Sequence, residues 1–236
     1  MKKQLLLAAA VVASLGAAPA VSHADVAFNV GATTDYRYRG ISQTRLKPAL
    51  QGGVDYSAGG FYLGAWASTI KWVKDGGGKS DFELDLYGGF KGEITKGVGF
   101  DVGVLKYVYE GAKLNPHPNT TEVYGAITFG PATVKYSQTA GTNLFGFGDS
   151  NQSGYLDLSA TFEVADGWTV TPHLGRQTVA KNGKFSYTDY AVTLSKDFSG
   201  LVVSAAVIGT DTKEYKSPAG RNLGRTGLVL GVKYNF

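Results

Sequence analysis

The chain has 236 residues, with 23 lysines and arginines against 19 aspartates and glutamates, and it contains no cysteine. The absence of cysteine excludes a disulfide scaffold and thiol chemistry. No block of basic residues indicates nucleic acid as a partner. After the first two dozen residues no run of about 18 apolar residues occurs, so the sequence excludes a transmembrane helix there. Frequent glycine and aromatic residues favour an all-β chain.

Residues 1–24 have the pattern of a secretory signal peptide. Lys2 and Lys3 precede an apolar run over residues 5–21, and Ser22-His23-Ala24 places small residues around a cleavage site. The run is too short and too weakly flanked to act as a stop-transfer anchor. The expected organisation is therefore a signal peptide over residues 1–24 and a single domain over residues 25–236.

Residues 25–236 divide into twelve segments in which apolar and polar residues alternate, the period expected of strands with two different faces. The predicted strands are Val26–Tyr38, Ala49–Ser57, Phe61–Trp72, Asp81–Ile94, Gly99–Tyr109, Thr121–Phe129, Ala132–Thr139, Gly154–Val164, Trp168–Gln177, Ser186–Lys196, Leu201–Thr210 and Thr226–Phe236. Each is about as long as a tilted strand that crosses a bilayer.

The connections between these segments alternate in length. Long ones cover residues 40–48, 73–80, 110–120, 140–153, 178–185 and 211–225, and short ones cover 58–60, 95–98, 130–131, 165–167 and 197–200. Bacterial outer-membrane barrels have this asymmetry, with long loops outside the cell and short turns in the periplasm. The sequence therefore predicts a transmembrane antiparallel up-and-down β-barrel of about 12 strands, located in the bacterial outer membrane.

Three further features place the apolar face outside. A lipocalin-like soluble barrel has about eight strands, and twelve strands would enclose a lumen too wide for inward apolar side chains to fill. Aromatic residues also gather near segment ends, as at membrane interfaces: Tyr36, Tyr38, Tyr56, Phe61, Trp72, Phe90, Phe129, Trp168 and Tyr190. The chain ends on alternating apolar residues with Phe236 last. Such a strand is typical of substrates of the outer-membrane insertion machinery, which is therefore an expected partner.

The stretch TTDYRYRGISQTR, residues 33–45, mixes charges with aromatic residues. Continued alternation through the first strand predicts Tyr36 and Tyr38 facing lipid near an interface, where a phenol suits a boundary between lipid and water. The same parity points Asp35, Arg37 and Arg39 into the barrel.

The third strand allows two orientations. Leu63, Ala65 and Ala67 face lipid in one of them, and Tyr62, Trp66 and Ile70 in the other. The first orientation is favoured.

Three segments, TTDYRYRGISQTRLKPALQGGVDYS, GFYLGAWAS and ELDLYGGF, resemble the TorF-like family of proposed porins of Gram-negative bacteria. The resemblance covers essentially residues 25–236 and is strongest between Asn29 and Phe90. It implies an outer-membrane barrel with a channel function and carries over no catalytic or substrate-binding residues. Thr69 stands where the family pattern often has asparagine after Trp-x-Ser.

The polar face supplies the candidate site. The candidate pore-lining residues are Asp35, Arg37, Arg39, Asp55, Glu83, Asp85, Lys91, Glu122, Lys135, Asp157 and Lys233. Rings of charge can line an aqueous path and set ion preference. The alternative is a partly plugged interior in which these charges satisfy one another.

The expected function is a porin-like channel for passive passage of ions or small hydrophilic solutes, with outer-membrane lipid as a further partner. A closed structural or adhesive barrel, or a lipid-modifying barrel enzyme, is the alternative. An enzyme would need a histidine oriented against a nucleophile, but no Gly-x-Ser-x-Gly motif occurs and His173 suits a hydrogen bond in the lumen. Asp81, Glu83 and Asp85 would spread over about 13 Å of one strand, which disfavours a metal site. No cofactor is expected.

Overall fold

The computed structural model describes residues 24–236, so the predicted signal peptide lies outside the described residues except for Ala24. The strands are β1 Asp25–Thr33, β2 Arg37–Tyr38, β3 Ile41–Ser42, β4 Ala49–Ala58, β5 Phe61–Thr69, β6 Phe82–Thr95, β7 Val98–Val108, β8 Thr120–Phe129, β9 Ala132–Thr139, β10 Gly154–Ala160, β11 Phe162–Ala165, β12 Trp168–Thr178, β13 Tyr187–Phe198, β14 Leu201–Thr210 and β15 Gly227–Asn235. A helix, α1 (Trp72–Asp75), and a 3-10 turn (Gly183–Phe185) lie in loops. In this part of the chain, no helix has the length and apolarity needed to span a bilayer.

The sheet closes on itself. Neighbouring strands pair antiparallel from β4 to β10, and β15 pairs with both β14 and β1. Thr161 separates β10 from β11, and both of these strands pair with β12. Together they therefore fill one strand position of the wall. β2 and β3 pair only with each other. The result is a closed barrel of twelve strands, as the alternating pattern predicts.

The outward face of the barrel is apolar. Val26, Phe28 and Val30 on β1 are each about half exposed, and on β15 Leu228 and Tyr234 are 65% and 49% exposed. Successive side chains of a strand point to opposite faces, and the outward face of a membrane barrel meets lipid rather than water. The predicted orientation of the faces is confirmed, because this apolar band surrounds the barrel while most charges of the strands point inward. Lys106, Arg176 and Lys196 lie on the outward face.

The predicted aromatic positions divide into two groups. Tyr56, Phe61, Phe129, Trp168 and Tyr190 are exposed on the outward face near strand ends. Phe90 is half-buried and packs against Phe61, with ring centroids 4.8 Å apart. Tyr36, Tyr38 and Trp72 do not lie in strands of the wall, and for them the interface prediction is wrong.

Tyrosines lie across glycines on the inner wall. A Cβ atom added to Gly64 on β5 would collide with the ring of Tyr87, and one added to Gly103 on β7 would collide with Tyr124. A glycine with no side chain lets the large ring of the neighbouring strand lie flat against the backbone. These pairs line the interior with phenol groups and bring polar hydrogen-bonding atoms into the lumen.

Candidate functional site: a lumen hairpin and a charged belt

Residues 34–48 leave the wall and fold into the barrel. We call this segment the lumen hairpin, and we call the two ends of the barrel the long-loop end and the short-turn end. Thr34 stays attached to β15, since its backbone N–H donates to the Leu230 carbonyl and its hydroxyl accepts from the Leu230 N–H, both at 2.9 Å. Beyond Thr34, β2 and β3 pair through Arg37 with Ser42 and Tyr38 with Ile41. The chain therefore crosses the lumen from the long-loop end of β1.

A tight turn at the tip lets the hairpin approach the wall closely at β13. Arg39 and Gly40 have φ angles of 46° and 80°, the left-handed pair that a two-residue hairpin loop requires. A Cβ on Gly40 would lie 2.8 Å from the Asp189 Cβ atom on β13. Glycine at the tip is therefore required both by the backbone angle and by the close approach to the wall.

The prediction that the first strand continues to Tyr38 is wrong, and so is the prediction that Tyr36 and Tyr38 face lipid. Tyr36 is only 5% exposed, and its hydroxyl donates to Glu83 Oε1 at 2.5 Å. Its ring also packs edge-on against Trp66, with centroids 5.4 Å apart. Trp66 therefore points inward, which confirms the orientation in which Leu63 and its neighbours face lipid. Parity failed beyond Thr33 because both phenols have partners in the lumen, Glu83 for Tyr36 and the Tyr107 hydroxyl, 3.0 Å away, for Tyr38.

Burial raises the pKa of the Tyr36 phenol well above its ordinary value, and the nearby Glu83 and Asp85 carboxylates raise it further. A phenolate at this position would lack solvation and would be repelled by both acids. Tyr36 therefore remains a neutral hydrogen-bond donor, which suits its contact with Glu83.

Asp35 organises the hairpin internally. It accepts hydrogen bonds from Arg37 Nε at 2.8 Å, from the Thr44 hydroxyl at 3.2 Å and from the Ser42 hydroxyl. Arg37 Nη1 also donates to the Arg225 carbonyl at 2.6 Å. Both charges of this pair lie inside the barrel, as predicted, but each is engaged in holding the hairpin together or in tying it to the wall.

Arg39 joins the hairpin to the far wall. Its Nη1 and Nη2 atoms donate to Glu122 Oε1 and Oε2 at 3.0 and 2.7 Å, and Nη1 also donates to Gln177 Oε1 at 2.6 Å. The guanidinium carbon lies 4.1 Å from the centroid of the Tyr155 ring. Both side chains of the ion pair are almost fully buried. A bidentate, buried arginine–carboxylate pair is among the strong charge-assisted contacts available to a protein.

Aromatic side chains from the loops cover the hairpin at the long-loop end. Phe145 packs edge-on against Tyr38 and Tyr107, with centroids 5.2 and 5.1 Å away, and Trp72 packs against Tyr109 at 5.0 Å. These contacts separate the hairpin from bulk water. Sequence reasoning missed this cover, because an aromatic residue in a long loop carries no signal that says which wall residue it meets.

A second group of charges lies nearer the short-turn end. In register, Lys91 on β6 faces Asp101 on β7, Asp101 faces Ala126 on β8, Ala126 faces Lys135 on β9, and Lys135 faces Asp157 on β10. We call Lys91, Asp101, Lys135 and Asp157 the charged belt. It forms one row of alternating sign along half of the inner wall.

The belt side chains contact aromatic rings more than one another. Lys135 Nζ lies 3.8 Å from the Tyr124 ring centroid, and the Tyr62 hydroxyl donates to Asp101 at 2.6 Å. Asp157 lies 3.0 Å from His173 Nε2. Over residues 24–236, neither Lys91 nor Lys135 makes an ion pair within 4.0 Å. The two belt lysines are therefore not neutralised by a direct ion pair, in contrast to Asp157 and to the charges of the hairpin.

The remaining candidates also lie on the inner surface. Asp55 accepts a hydrogen bond from the Tyr87 hydroxyl at 2.5 Å, and Lys233 lies on the inward face of β15. Asp85 is 5% exposed, and its Oδ1 atom has no hydrogen-bond partner among the described residues. Asp81 lies just before β6 and pairs with Lys74 at the rim, at 2.8 Å. The described part of the chain contains no group of three or more acidic, histidine or cysteine side chains placed to hold a metal ion.

Solved structures similar to this barrel include two of the KdgM porin. The KdgM porin aligns with a TM-score of 0.60 at 10% identity, covering 89% of this chain and 99% of that one. A structure described as the KdgM porin in complex with disordered oligogalacturonate aligns with a TM-score of 0.58 at 10% identity, covering 89% and 98%. At this identity the likeness concerns the fold. No curated protein matches this chain.

A family model described as a bacterial protein of unknown function, Gcw_chp, matches residues 17–236. The match includes every strand of the barrel, the lumen hairpin and the charged belt. The narrower resemblance to TorF-like porins stays a prediction, as does recognition of the last strand by the insertion machinery. The chain belongs to the Gcw_chp family of bacterial proteins.

Proposed function

We propose that this protein is an outer-membrane channel of the porin type that passes ions or small hydrophilic solutes, and that the lumen hairpin is its closed gate. The observation that carries the proposal is the charged belt, whose two lysines have no ion-pair partner within 4.0 Å over residues 24–236. Charges kept apart on an inner wall favour an aqueous interior. A merely structural interior would gain more from pairing them.

The way the hairpin is attached supports a gating role. Thr33 and Ala49, which flank it, are paired in the β1–β4 register. Displacement of residues 35–47 therefore leaves the barrel wall intact. The contacts that would break are those of the Arg39 and Tyr36 side chains with Glu122 and Glu83. Backbone hydrogen bonds to loop residues would also break, including those from the Ser42 N–H to the Leu223 carbonyl at 3.0 Å and from the Lys71 N–H to the Gln43 carbonyl at 2.8 Å.

The belt favours small solutes of no particular sign. It carries two lysines and two aspartates in one row, so neither charge dominates the lumen. The oligogalacturonate named with the KdgM porin belongs to that protein, and the mixed belt gives no reason to assign the same solute here.

The enzyme alternative receives less support. His173 contacts Asp157 and the Tyr155 hydroxyl at 3.0 and 3.2 Å. An activated serine would need to lie within hydrogen-bond reach of this ring, and the partners found are an acid and a phenol. We therefore propose that the protein is not an enzyme.

The test is planar-bilayer recording of the whole chain and of a variant in which a short Gly-Ser turn replaces residues 35–47. The variant is expected to show frequent stepwise currents, and the unaltered protein rare or smaller ones. The register between Thr33 and Ala49 permits a tight turn at this point. Absence of steps from both proteins, with folded barrels demonstrated by heat-modifiable gel mobility, would overturn the channel proposal and favour a closed structural barrel.

Outer-membrane location predicts which end antibodies reach. We expect an epitope tag inserted in loop 140–153 or loop 211–226 to be labelled on intact cells, because long loops of outer-membrane barrels lie outside the cell. A tag in the Ala165-Asp166-Gly167 turn should be labelled only after the outer membrane is permeabilised. Labelling of the turn alone on intact cells would invert the orientation.

A further inference from the structure

The lipid-facing surface carries a groove that the channel proposal does not use. It has a volume of about 590 Å³ and is lined mainly by apolar atoms of β13, β14, β15 and β1. Its central side chains are Leu194, Ala205, Leu230, Val203, Val232 and Ala32. The first three face one another in register and so do the last three. The two alanines are shorter than their neighbours, and they leave a trough between the larger side chains.

The groove crosses several strands and so has the length of a lipid chain. The part between Lys196 on β13 and Ala32 on β1 crosses three strand spacings of about 4.8 Å, or roughly 14 Å. One leaflet supplies about half of the 30 Å hydrocarbon core. An acyl chain that lies obliquely on the barrel fits these dimensions.

A single cation stands at one end of the groove. Lys196 lies between Leu194 and Phe198 on the outward face of β13, and its Nζ atom is 5.3 Å from the ring centroids of both Trp168 and Phe198. A lysine on the lipid face of a barrel is strongly unfavourable at the bilayer midplane and nearly neutral at the interface. Trp168 directly follows the turn at Asp166-Gly167, which places this end of the groove at the headgroup level.

Lys196 is available to an anion. Within the described range it makes no ion pair within 4.0 Å. The acidic residues nearest in sequence and register are Asp197, which follows it and whose carboxylate accepts from the Gly200 N–H at 2.7 Å, and Asp166 in the exposed turn. The positive end of an otherwise apolar groove therefore complements a ligand with an anionic head and an apolar tail.

We propose that this groove binds one anionic glycerophospholipid, with its phosphate at Lys196 and one acyl chain along Ala205 and Ala32. The ammonium group supplies a charge-assisted contact to the phosphate, and the Trp168 ring suits the headgroup region. The orientation proposed above would make this a lipid of the periplasmic leaflet. The binding itself depends only on the membrane-spanning barrel and not on channel activity.

Tryptophan quenching tests the proposal directly. The chain has three tryptophans; Trp66 lies inside the barrel and Trp72 in a loop, so Trp168 is the one on the lipid face. The full chain would be reconstituted in vesicles of phosphatidylcholine to which one brominated lipid is added. The added lipid is brominated phosphatidylglycerol in one series and brominated phosphatidylcholine in the other. A lysine attracts anionic lipid by about 1 kcal/mol, so brominated phosphatidylglycerol is expected to quench with about fivefold higher apparent affinity. Trp168→Phe should abolish the quenching.

Matched variants separate the headgroup contact from the groove. Lys196→Gln is expected to remove the preference for phosphatidylglycerol while quenching by phosphatidylcholine persists. Arg176→Gln makes the same charge change on the outward face of β12, toward its long-loop end, and should retain the preference. Ala205→Leu fills the trough and should weaken quenching by phosphatidylglycerol. Equal affinity of the wild type for both lipids, a preference retained in Lys196→Gln, or no effect of Ala205→Leu would overturn the proposed site.

Discussion

Replacing Arg39 with alanine is expected to raise strongly the fraction of time for which the barrel conducts. The substitution removes both hydrogen bonds to Glu122 and the one to Gln177, and it leaves a buried carboxylate without its counter-charge. Breaking one partner of a buried pair costs about 3–5 kcal/mol, and 3 kcal/mol corresponds to about a 100-fold change in an equilibrium. The ratio of open to closed time in single-channel records should therefore rise by about that factor.

Arg45→Ala is the control for this experiment. Arg45 belongs to the same hairpin, but its side chain is 41% exposed and it pairs with Asp75 in the α1 loop rather than with the wall. Exposed ion pairs contribute about 0–1 kcal/mol, so this variant should behave nearly as the wild type does. If folded Arg39→Ala and Arg45→Ala barrels give the same open fraction, the ion pair with Glu122 does not hold the gate.

The second large effect concerns ion selectivity. In the variant lacking residues 35–47, Lys91→Glu together with Lys135→Glu converts a belt of mixed sign into one that is wholly acidic. A charge reversal about 7 Å from a permeating ion changes its energy by about 1 kcal/mol in water-like surroundings, which is about fivefold in relative permeability. We expect the reversal potential across a salt gradient to move clearly toward the cation value. The shift should shrink at high salt, because the Debye length falls to about 3 Å at 1 M.

Lys213→Glu in the same background controls for net charge. Lys213 is exposed in the loop 211–226, so its reversal changes the total charge without altering the belt. If Lys213→Glu shifts the reversal potential as much as the belt substitutions do, the overall charge of the protein selects the ions and the belt does not. No response to the belt lysines, in a folded conducting barrel, would remove the belt from the permeation path.

The polar face allowed two interpretations, an aqueous path lined by charges and a partly plugged interior. Each describes one half of the lumen. At the long-loop end the charges are paired and buried, as in a plugged interior, and Arg39 with Glu122 is the clearest example. At the short-turn end Lys91 and Lys135 face the lumen against tyrosine rings. Side chains alone fill the interior of a barrel of about eight strands, and a barrel of twelve strands encloses more space. In this protein the lumen hairpin occupies part of that additional space.

The barrel could be predicted from the sequence because its signals are local. Alternation at period two assigns the faces of β14 and β15 without any knowledge of their neighbours, and the predicted bounds of β9 and β14 agree with the observed ones. The alternation of loop lengths is a local signal too, because the length of each connection between two antiparallel strands can be read from that stretch of sequence alone. The inward placement of Lys135 and Asp157 follows from parity alone.

The hairpin could not be predicted in this way, because parity holds only while the chain remains a strand. From Asp35 to Arg39 the alternation resumes after the single polar residue Thr34 at an apolar position, yet the backbone leaves the wall after Thr34. What turns it inward is a set of distant partners, Glu83 for Tyr36 and Glu122 for Arg39, which lie 47 and 83 residues away along the chain. Burying a charge or a phenol is favourable only where a partner is already in place. Closure of the barrel brings those partners together, so the tertiary structure alone decided that this segment folds into the lumen.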